Sequence, residues 1–223
     1  MKIDPIRKTY QSRTVLDTCS MEIEQGRIYA VAGANGSGKS TLLRCLAGIE
    51  KPDVPFSVTG AEQLSMGYLP QSSYPFKMSL LKNVLVGLPR SGENVSRAKD
   101  LIEAFDLGEL SSSRADRLSG GEKQKTALMR ILMRRFGLLL LDEPTSAMDP
   151  RGVLTAEELI TSHAKETGCT VMMVTHFMKQ AERIADEIIF LSSGRTDGPV
   201  ELSRFLSGQA GDAAREYLEF WGA

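Results

Sequence analysis

A nine-residue loop, Gly33–Thr41, constrains the fold of this 223-residue chain more than any other segment. It has the spacing G-x-x-x-x-G-K-S, which is typical of a phosphate-binding loop. The apolar run Ile28–Ala32 precedes the loop and the helical pattern Thr41–Ala47 follows it, so we predict a buried strand, the loop and a helix. Glycines let successive backbone N–H groups converge on phosphate oxygens, at the positive end of the helix. The sequence therefore predicts a site for a nucleoside triphosphate.

Two side chains of the loop are expected to do chemistry. The ammonium group of Lys39 can lie between the β- and γ-phosphates, and the Ser40 hydroxyl can bind Mg²⁺. The residues expected to contact the nucleotide are Gly33, Asn35, Gly36, Ser37, Gly38, Lys39, Ser40 and Thr41.

Two further apolar runs end in polar side chains. Leu138–Leu141 is followed by Asp142 and Glu143, as expected for a central parallel strand with ligands at its carboxyl end. Adjacent residues of a strand point to opposite sides, so Asp142 can face Mg²⁺ while Glu143 faces an attacking water molecule. The run Thr170–Thr175 ends at His176, which places an imidazole at the same edge.

Composition excludes some classes of function. The 27 Lys and Arg residues balance 28 Asp and Glu residues, so net charge does not support nucleic-acid binding. We find neither an apolar run of the ~20 residues that a membrane span needs nor a signal peptide, and we expect a cytosolic protein. The three scattered cysteines are predicted to be buried thiols, and His163 is predicted to lie on the surface.

We predict one domain, 1–223, with a mostly helical insertion at about 72–118 and a short helical tail at about 199–223. The predicted helices are Val95–Phe105, Lys123–Arg135 and Asp212–Trp221. The motif Ser119-Gly120-Gly121 precedes the second of these helices, with Ser119 as the predicted N-cap. It fits either an anion site at a helix N-terminus or an ordinary helix start, and the residues alone leave both open.

In their order along the chain, these motifs resemble the nucleotide-binding subunits of ABC transporters, over nearly the whole sequence. Gly33–Thr41 resembles the Walker A motif, Gln71 the Q-loop and Leu118–Glu122 the signature. The remaining matches are Walker B (Leu138–Glu143), the D-loop (Ser146–Asp149) and the switch histidine (His176). The resemblance implies an α/β P-loop NTPase fold with a mostly parallel central sheet, an N-terminal antiparallel β subdomain and a helical insertion.

The resemblance also implies roles for residues. ATP and Mg²⁺ are the implied cofactors, and Gln71 joins Ser40 and Asp142 as an implied metal ligand. Tyr10, which by itself reads as a core aromatic, occupies the place of the aromatic that stacks on adenine. The implied catalytic residues are Glu143, His176 and Lys39. The residues implied to act on the nucleotide of a second subunit are Ser119, Gly120, Gly121 and Glu122 of the signature, with Asp149 of the D-loop. Departures from the family pattern are Met148 in the D-loop, Lys125 where Arg is usual, and Phe136-Gly137 before Walker B.

The implied partners are transmembrane permease subunits, a second ATPase subunit in a homodimer and a solute-binding protein reached through the permease. The protein would then act at the cytoplasmic face of the cell membrane, without nucleic acid. The stretches 73–84 and 175–181 resemble importers of phosphate most and, less closely, importers of tungstate or molybdate, so the expected cargo is a small oxyanion. The alternatives are an amino-acid importer, an exporter of lipid, lipoprotein or drug, and a non-transport ABC ATPase.

Overall fold

A computed structural model of the chain describes residues 1–60, 65–72 and 74–221. The predicted insertion and tail include Ser73, Gly222 and Ala223, which lie outside the described residues. The strands are β1 (Lys2–Ile3), β2 (Arg7–Tyr10), β3 (Arg13–Asp17), β4 (Met21–Glu22), β5 (Ile28–Ala32), β6 (Val58–Thr59), β7 (Met66–Leu69), β8 (Leu138–Asp142), β9 (Thr170–Val174), β10 (Glu187–Phe190) and β11 (Pro199–Glu201).

The α-helices differ widely in length. They are α1 (Lys39–Leu46), α2 (Leu80–Val84), α3 (Gly92–Ala104), α4 (Gly120–Leu132), α5 (Pro150–Thr167), α6 (Met178–Ile184), α7 (Leu202–Leu206) and α8 (Asp212–Trp221). Two short 3₁₀ turns lie at Gly108–Leu110 and Ala115–Arg117. None of the helices in the described part of the chain is long and apolar enough to cross a membrane.

The chain forms two compact units. The first contains Met1–Tyr68, Phe136–Glu143 and the chain from Ala164 onward, and the second contains Leu69–Arg135 and Pro144–His163. The first unit therefore holds the phosphate loop, Asp142, Glu143 and His176. The second unit holds the signature segment and Asp149.

A mostly parallel sheet forms the centre of the first unit, with the strand order β11-β10-β5-β9-β8-β7. Strands β10, β5, β9 and β8 run parallel to one another, and β11 pairs with β10 in the antiparallel direction. In the register of this sheet, Val174 lies beside Val31 on one side and Asp142 on the other. The carboxyl ends of three buried strands therefore meet at one edge, where the phosphate loop begins.

Smaller antiparallel sheets form the N-terminal part. Strand β1 pairs with both β4 and β6, and β2 pairs with β3 in a hairpin whose register shifts between Lys8 and Thr9. Tyr10 is the last residue of β2 and lies at the hairpin turn. Together with the central sheet, this arrangement confirms the predicted fold class.

Apolar residues cover both faces of the central sheet, which explains why β5, β8 and β9 are buried throughout. On one face Leu42 and Leu43 of α1 pack with the N-terminal strands. On the other face Met178 of α6, Phe205 of α7 and Tyr217 of α8 form a second cluster.

The second unit contains α2, α3 and α4, and α2 contacts the other two helices. Its two longer helices begin earlier than predicted, at Gly92 rather than Val95 and at Gly120 rather than Lys123. Ser119 is the N-cap of α4, as predicted, and a cap there places the first helical residue at Gly120. Ser91 caps α3 in the same way, because each serine side chain accepts a hydrogen bond from a backbone N–H of the first turn.

The predicted exposure of His163 and the predicted burial of Cys19 were wrong. His163 is buried, with 3% of its surface exposed, because the side of α5 that carries it faces inward. Cys19 is exposed, whereas Cys45 and Cys169 are buried as predicted. Cys19 lies in the short connection between β3 and β4.

Candidate functional site

The phosphate loop connects the buried end of β5 to the first turn of α1. Gly38 is the N-cap of α1 and has a φ of 107°, in the region that favours glycine. A Cβ atom on Gly38 would lie 2.8 Å from both the carbonyl oxygen of Val15 and the Cδ2 atom of Leu16. The loop conformation therefore requires glycine at this position for both its backbone angle and its space.

Lys39 is buried at the start of α1, with 6% of its surface exposed. Its Nζ donates hydrogen bonds to the carbonyl oxygens of Gly33 at 2.8 Å and Ala34 at 3.1 Å. Burial lowers the pKa of Lys39, while the nearby carboxylates of Glu143 and Asp142 act in the opposite direction. An anion at the loop would favour the charged form of this lysine.

Ser40 and Asp142 come together although they lie 102 positions apart in the sequence. The Ser40 hydroxyl donates to Asp142 Oδ1 at 2.9 Å, and Asp142 is 2% exposed. Burial raises the pKa of Asp142, and the hydrogen bonds from Ser40 and Tyr68 oppose that shift.

Tyr68 is a site residue that the sequence analysis missed. Its hydroxyl donates to Asp142 Oδ2 at 3.3 Å, so both oxygens of this buried carboxylate accept hydrogen bonds from side chains. Burial, together with the neighbouring Asp142 charge, raises the pKa of Tyr68 to about 12, so it stays a donor at neutral pH. Tyr68 shares a face of β7 with Met66, and both are partly buried against the core of the first unit. The sequence carries no signal for the group that the Tyr68 hydroxyl meets.

Glu143 and His176 form the second pair, with Glu143 Oε1 lying 2.9 Å from His176 Nε2. Both side chains are partly buried, at 16% and 22% exposure. Strand β8 ends at Asp142, and Glu143 has a φ of 50°, in the left-handed region. Strand alternation was therefore the wrong reason for the separate directions of the two carboxylates, since a backbone turn aims Glu143.

Tyr10 is 38% exposed, so the interpretation of this ring as a core residue was wrong. Lys8 Nζ lies 4.8 Å from the ring centroid and forms an ion pair with Glu50 at 2.8 Å. Partial burial raises the pKa of the Tyr10 hydroxyl. The ring is thus a supported, accessible aromatic surface at the hairpin turn.

The predicted residues of the second unit have their own geometry. Ser119 and Glu122 form a capping box at the start of α4, in which the Ser119 N–H donates to Glu122 Oε2 at 2.7 Å. Gly120 is exposed, and a Cβ atom there would meet nothing within 4 Å. Gln71 follows β7 closely and is exposed, so its role as a metal ligand stays a prediction.

Asp149 precedes α5, and its Oδ1 accepts a hydrogen bond from the Gly152 N–H at 2.8 Å. Its Oδ2 lies 3.0 Å from Lys125 Nζ. The Gly152 N–H, followed by the Lys125 side chain, lowers the pKa of Asp149 to about 2. Asp149 is therefore a fully ionised carboxylate at neutral pH.

The donor set of the first unit fits Mg²⁺. The Ser40 hydroxyl and the buried Asp142 carboxylate are hard oxygen donors, already adjacent at 2.9 Å. No cluster of three or more His, Cys, Asp or Glu side chains that could hold a metal occurs among the described residues. Mg²⁺ commonly takes only one or two protein ligands, with phosphate and water completing its shell, so this small set suffices.

A phosphate loop after β5 of a parallel sheet, with Asp142 and Glu143 at the carboxyl end of β8, one strand beyond β9 at the same edge, defines a P-loop nucleoside triphosphatase. Residues 16–146 match the protein family model described as ABC transporter. The tungstate uptake system ATP-binding protein TupC of Peptoclostridium acidaminophilum is 35% identical over 202 residues, which cover 86% of this chain and 94% of TupC. The aliphatic sulfonates import ATP-binding protein SsuB 1 of Streptomyces avermitilis is 33% identical over 206 residues, covering 92% of this chain and 78% of SsuB 1.

Solved structures agree with these relatives. The dimeric, post-hydrolysis structure of the ATP-binding cassette MJ0796 bound to ADP and Pi has a TM-score of 0.78 and 25% identity, covering 90% of this chain and 98% of that one. The chain belongs to the ABC transporter family, as an ATP-binding subunit of the importer type. It is an ATPase, which confirms the predicted class of protein and enzyme.

Proposed function

We propose that two copies of this chain hydrolyse ATP at shared, head-to-tail sites and thereby power the import of a small oxyanion, with tungstate or phosphate as the cargo. The observation that carries the choice of cargo is the 35% identity to a tungstate uptake ATP-binding protein along 94% of that protein. The sulfonate import relative, whose cargo by its name also bears an oxyanion group, supports the same class of solute.

In the proposed mechanism, the phosphate loop and Lys39 bind the triphosphate. The Lys39 ammonium would exchange its carbonyl contacts for phosphate oxygens and offset the negative charge that develops during hydrolysis. The Tyr10 ring, which is open to solvent, would stack on the adenine. The residues proposed to contact ATP are Tyr10, Gly33, Asn35, Gly36, Ser37, Gly38, Lys39, Ser40, Thr41 and Gln71.

Glu143 is the proposed general base. Its carboxylate would accept a proton from the attacking water, and His176 would hold it in place through the 2.9 Å contact. When the proton of His176 is on Nε2, His176 donates a hydrogen bond to the Glu143 carboxylate. This hydrogen bond would fix the orientation of the carboxylate. After nucleotide binding, His176 would contact the γ-phosphate.

Ser40, Asp142 and Gln71 are the proposed metal ligands. Mg²⁺, when bound, would offset part of the negative charge of the triphosphate. Tyr68 would hold Asp142 in the orientation that keeps one carboxylate oxygen directed at Ser40.

The signature segment is proposed to act on the ATP of the partner subunit. Ser119, Gly120, Gly121 and Glu122 stand at the N-terminus of α4. The capping box uses the N–H groups of Ser119 and Glu122, so the N–H groups of Gly120 and Gly121 would face the partner's phosphate. The exposed Gly120 leaves room for a phosphate to approach. Asp149 would enter the same interface.

The second unit is the proposed contact with the permease. Phe76 is 51% exposed and Tyr74 83% exposed, which is unusual for aromatic side chains. Asn83, fully buried, fixes this segment by donating to the carbonyl oxygens of Phe76 and Met78 at 3.1 and 3.2 Å. A short cytoplasmic helix of a permease would bury the apolar face around Phe76, Met78 and Leu81, so the ATPase would act at the cytoplasmic side of the membrane.

A solute-binding protein would deliver the oxyanion to the permease. The proposed function involves no nucleic acid.

The cargo is tested with the complete transporter in lipid vesicles with its binding protein. ATP-driven accumulation is measured for tungstate, phosphate, molybdate, an alkyl sulfonate and a panel of amino acids. We expect accumulation of tungstate or phosphate. Accumulation of an amino acid with no oxyanion uptake, or export of a lipid or drug, would contradict the proposed cargo and leave the ATPase assignment intact.

A further inference from the structure

A buried lysine supports the exposed loop that contains Asp149. Lys125, on the second turn of α4, has only 11% of its side chain exposed, whereas its partner Asp149 is 58% exposed. Gly152 makes room for it, because a Cβ atom there would lie 2.6 Å from Lys125 Cε. Ion pairs with an exposed partner add little to stability. Stability therefore does not account for a lysine that is mostly removed from water at this place. A role in holding Asp149 in position accounts for it better.

The neighbouring residue of α4 holds the same loop. Gln124, 7% exposed, donates through Nε2 to Ser146 Oγ at 3.1 Å and accepts from the Ala147 N–H at 2.8 Å. The loop also touches the start of the helix, since a Cβ atom on Gly121 would lie 2.7 Å from the Ala147 carbonyl oxygen. The loop itself, Ser146–Asp149, is mostly exposed. Its support thus comes from polar side chains beneath it.

We infer that Lys125 is a positioning residue, which fixes the Asp149 loop against the N-terminus of α4 so that both enter the partner's nucleotide site as one rigid element. The inference rests on the shared, head-to-tail site proposed above. Lys125 acts through Asp149, and nothing in the inference requires Lys125 itself to contact nucleotide. Loosening such an element by about 1 Å typically lowers turnover by up to ~100-fold, because the reacting groups lose their alignment.

The test replaces Lys125 with Met, which keeps the length of the side chain and removes its charge. In the assembled transporter we expect kcat for ATP to fall by about ten-fold or more, with ATP binding to the isolated subunit unchanged. Lys125→Arg, whose guanidinium can still reach Asp149, should retain most of the turnover. In a Glu143→Gln background, Lys125→Met should weaken the ATP-dependent dimer seen by sedimentation.

Arg151→Met is the matched control, because it removes an ion pair of the same unit. Arg151 lies 3.2 Å from Asp106 with both side chains exposed, at 81% and 62%, and we expect parent turnover from this variant. Equal losses in Lys125→Met, Lys125→Arg and Arg151→Met would overturn the inference, as would a Lys125→Met protein with parent turnover and dimerisation. If Glu143→Gln alone stays monomeric with ATP, the shared site itself is wrong and the inference falls with it.

Discussion

Replacing Glu143 with Gln tests the proposed base while changing little else. The two side chains are nearly isosteric, and the left-handed backbone at this position, with a φ of 50°, is equally unfavourable for both. The amide oxygen of Gln can keep the 2.9 Å contact with His176 Nε2, so the orientation is preserved and only the basicity is lost. Any loss of turnover therefore reports on proton transfer.

Loss of a general base typically lowers turnover by roughly 10²–10⁴-fold, which corresponds to about 3–5 kcal/mol of activation free energy. ATP binding should persist or tighten, because the substitution removes a negative charge near the site of an anion. ATP turnover in the assembled transporter and ATP affinity of the subunit are measured in parallel.

A second variant tests the pairing. His176→Ala should lower turnover through the same carboxylate, so the double variant should lose little more than Glu143→Gln alone. Turnover of Glu143→Gln near the parent rate would refute the assignment. Strictly additive losses in the double variant would refute the coupling of the two residues.

Three further predictions concern the loop, the caps and the aromatic surface. Gly38→Ala should abolish ATP binding, because the new Cβ atom would lie 2.8 Å from two atoms. Gly36→Ala should weaken ATP binding less, because its Cβ atom would meet nothing within 4 Å. Titration with a fluorescent ATP analogue compares the two variants. Ser119→Ala and Ser91→Ala each remove an N-cap, so each should lower the free energy of unfolding, measured by urea titration, by about 1 kcal/mol. Only Ser119→Ala should also reduce ATP turnover. Tyr10→Ala should raise the Kd for ATP by about ten-fold through loss of stacking, and Tyr10→Phe should not; equal effects of both would point to the hydroxyl instead.

The sequence predicted the fold and the central pairings because each depends on a local pattern. Continuous apolar runs identified β5, β8 and β9 as doubly covered strands, and their carboxyl ends had to share one edge. This logic predicts Ser40 near Asp142 and His176 at the same edge as Glu143, and the structure brings both pairs into contact.

Other features depend on tertiary contacts that no local pattern encodes. The hydrogen bond from Tyr68 to Asp142 joins residues 74 positions apart, and the Lys125–Asp149 ion pair depends on the space left by Gly152. The left-handed backbone at Glu143 broke the alternation used to predict its direction. Burial of His163 and exposure of Cys19 likewise follow from how neighbouring elements cover them, which residue type alone does not determine.

The central claim, that two copies share each ATP site, is tested most directly by sedimentation of Glu143→Gln protein with ATP, with and without a second substitution at Gly120. The Gly120→Asp substitution should not disturb the fold of the chain that carries it, because a Cβ atom at this position meets nothing within 4 Å. An acidic side chain in the first turn also stabilises a helix. Across the proposed interface, however, its charge would oppose the γ-phosphate. We predict an ATP-dependent dimer for Glu143→Gln and for Glu143→Gln with the neutral Gly120→Asn, and a monomer for Glu143→Gln with Gly120→Asp. A dimer of unchanged affinity in the Gly120→Asp protein, or no dimer in any variant, would contradict the shared site.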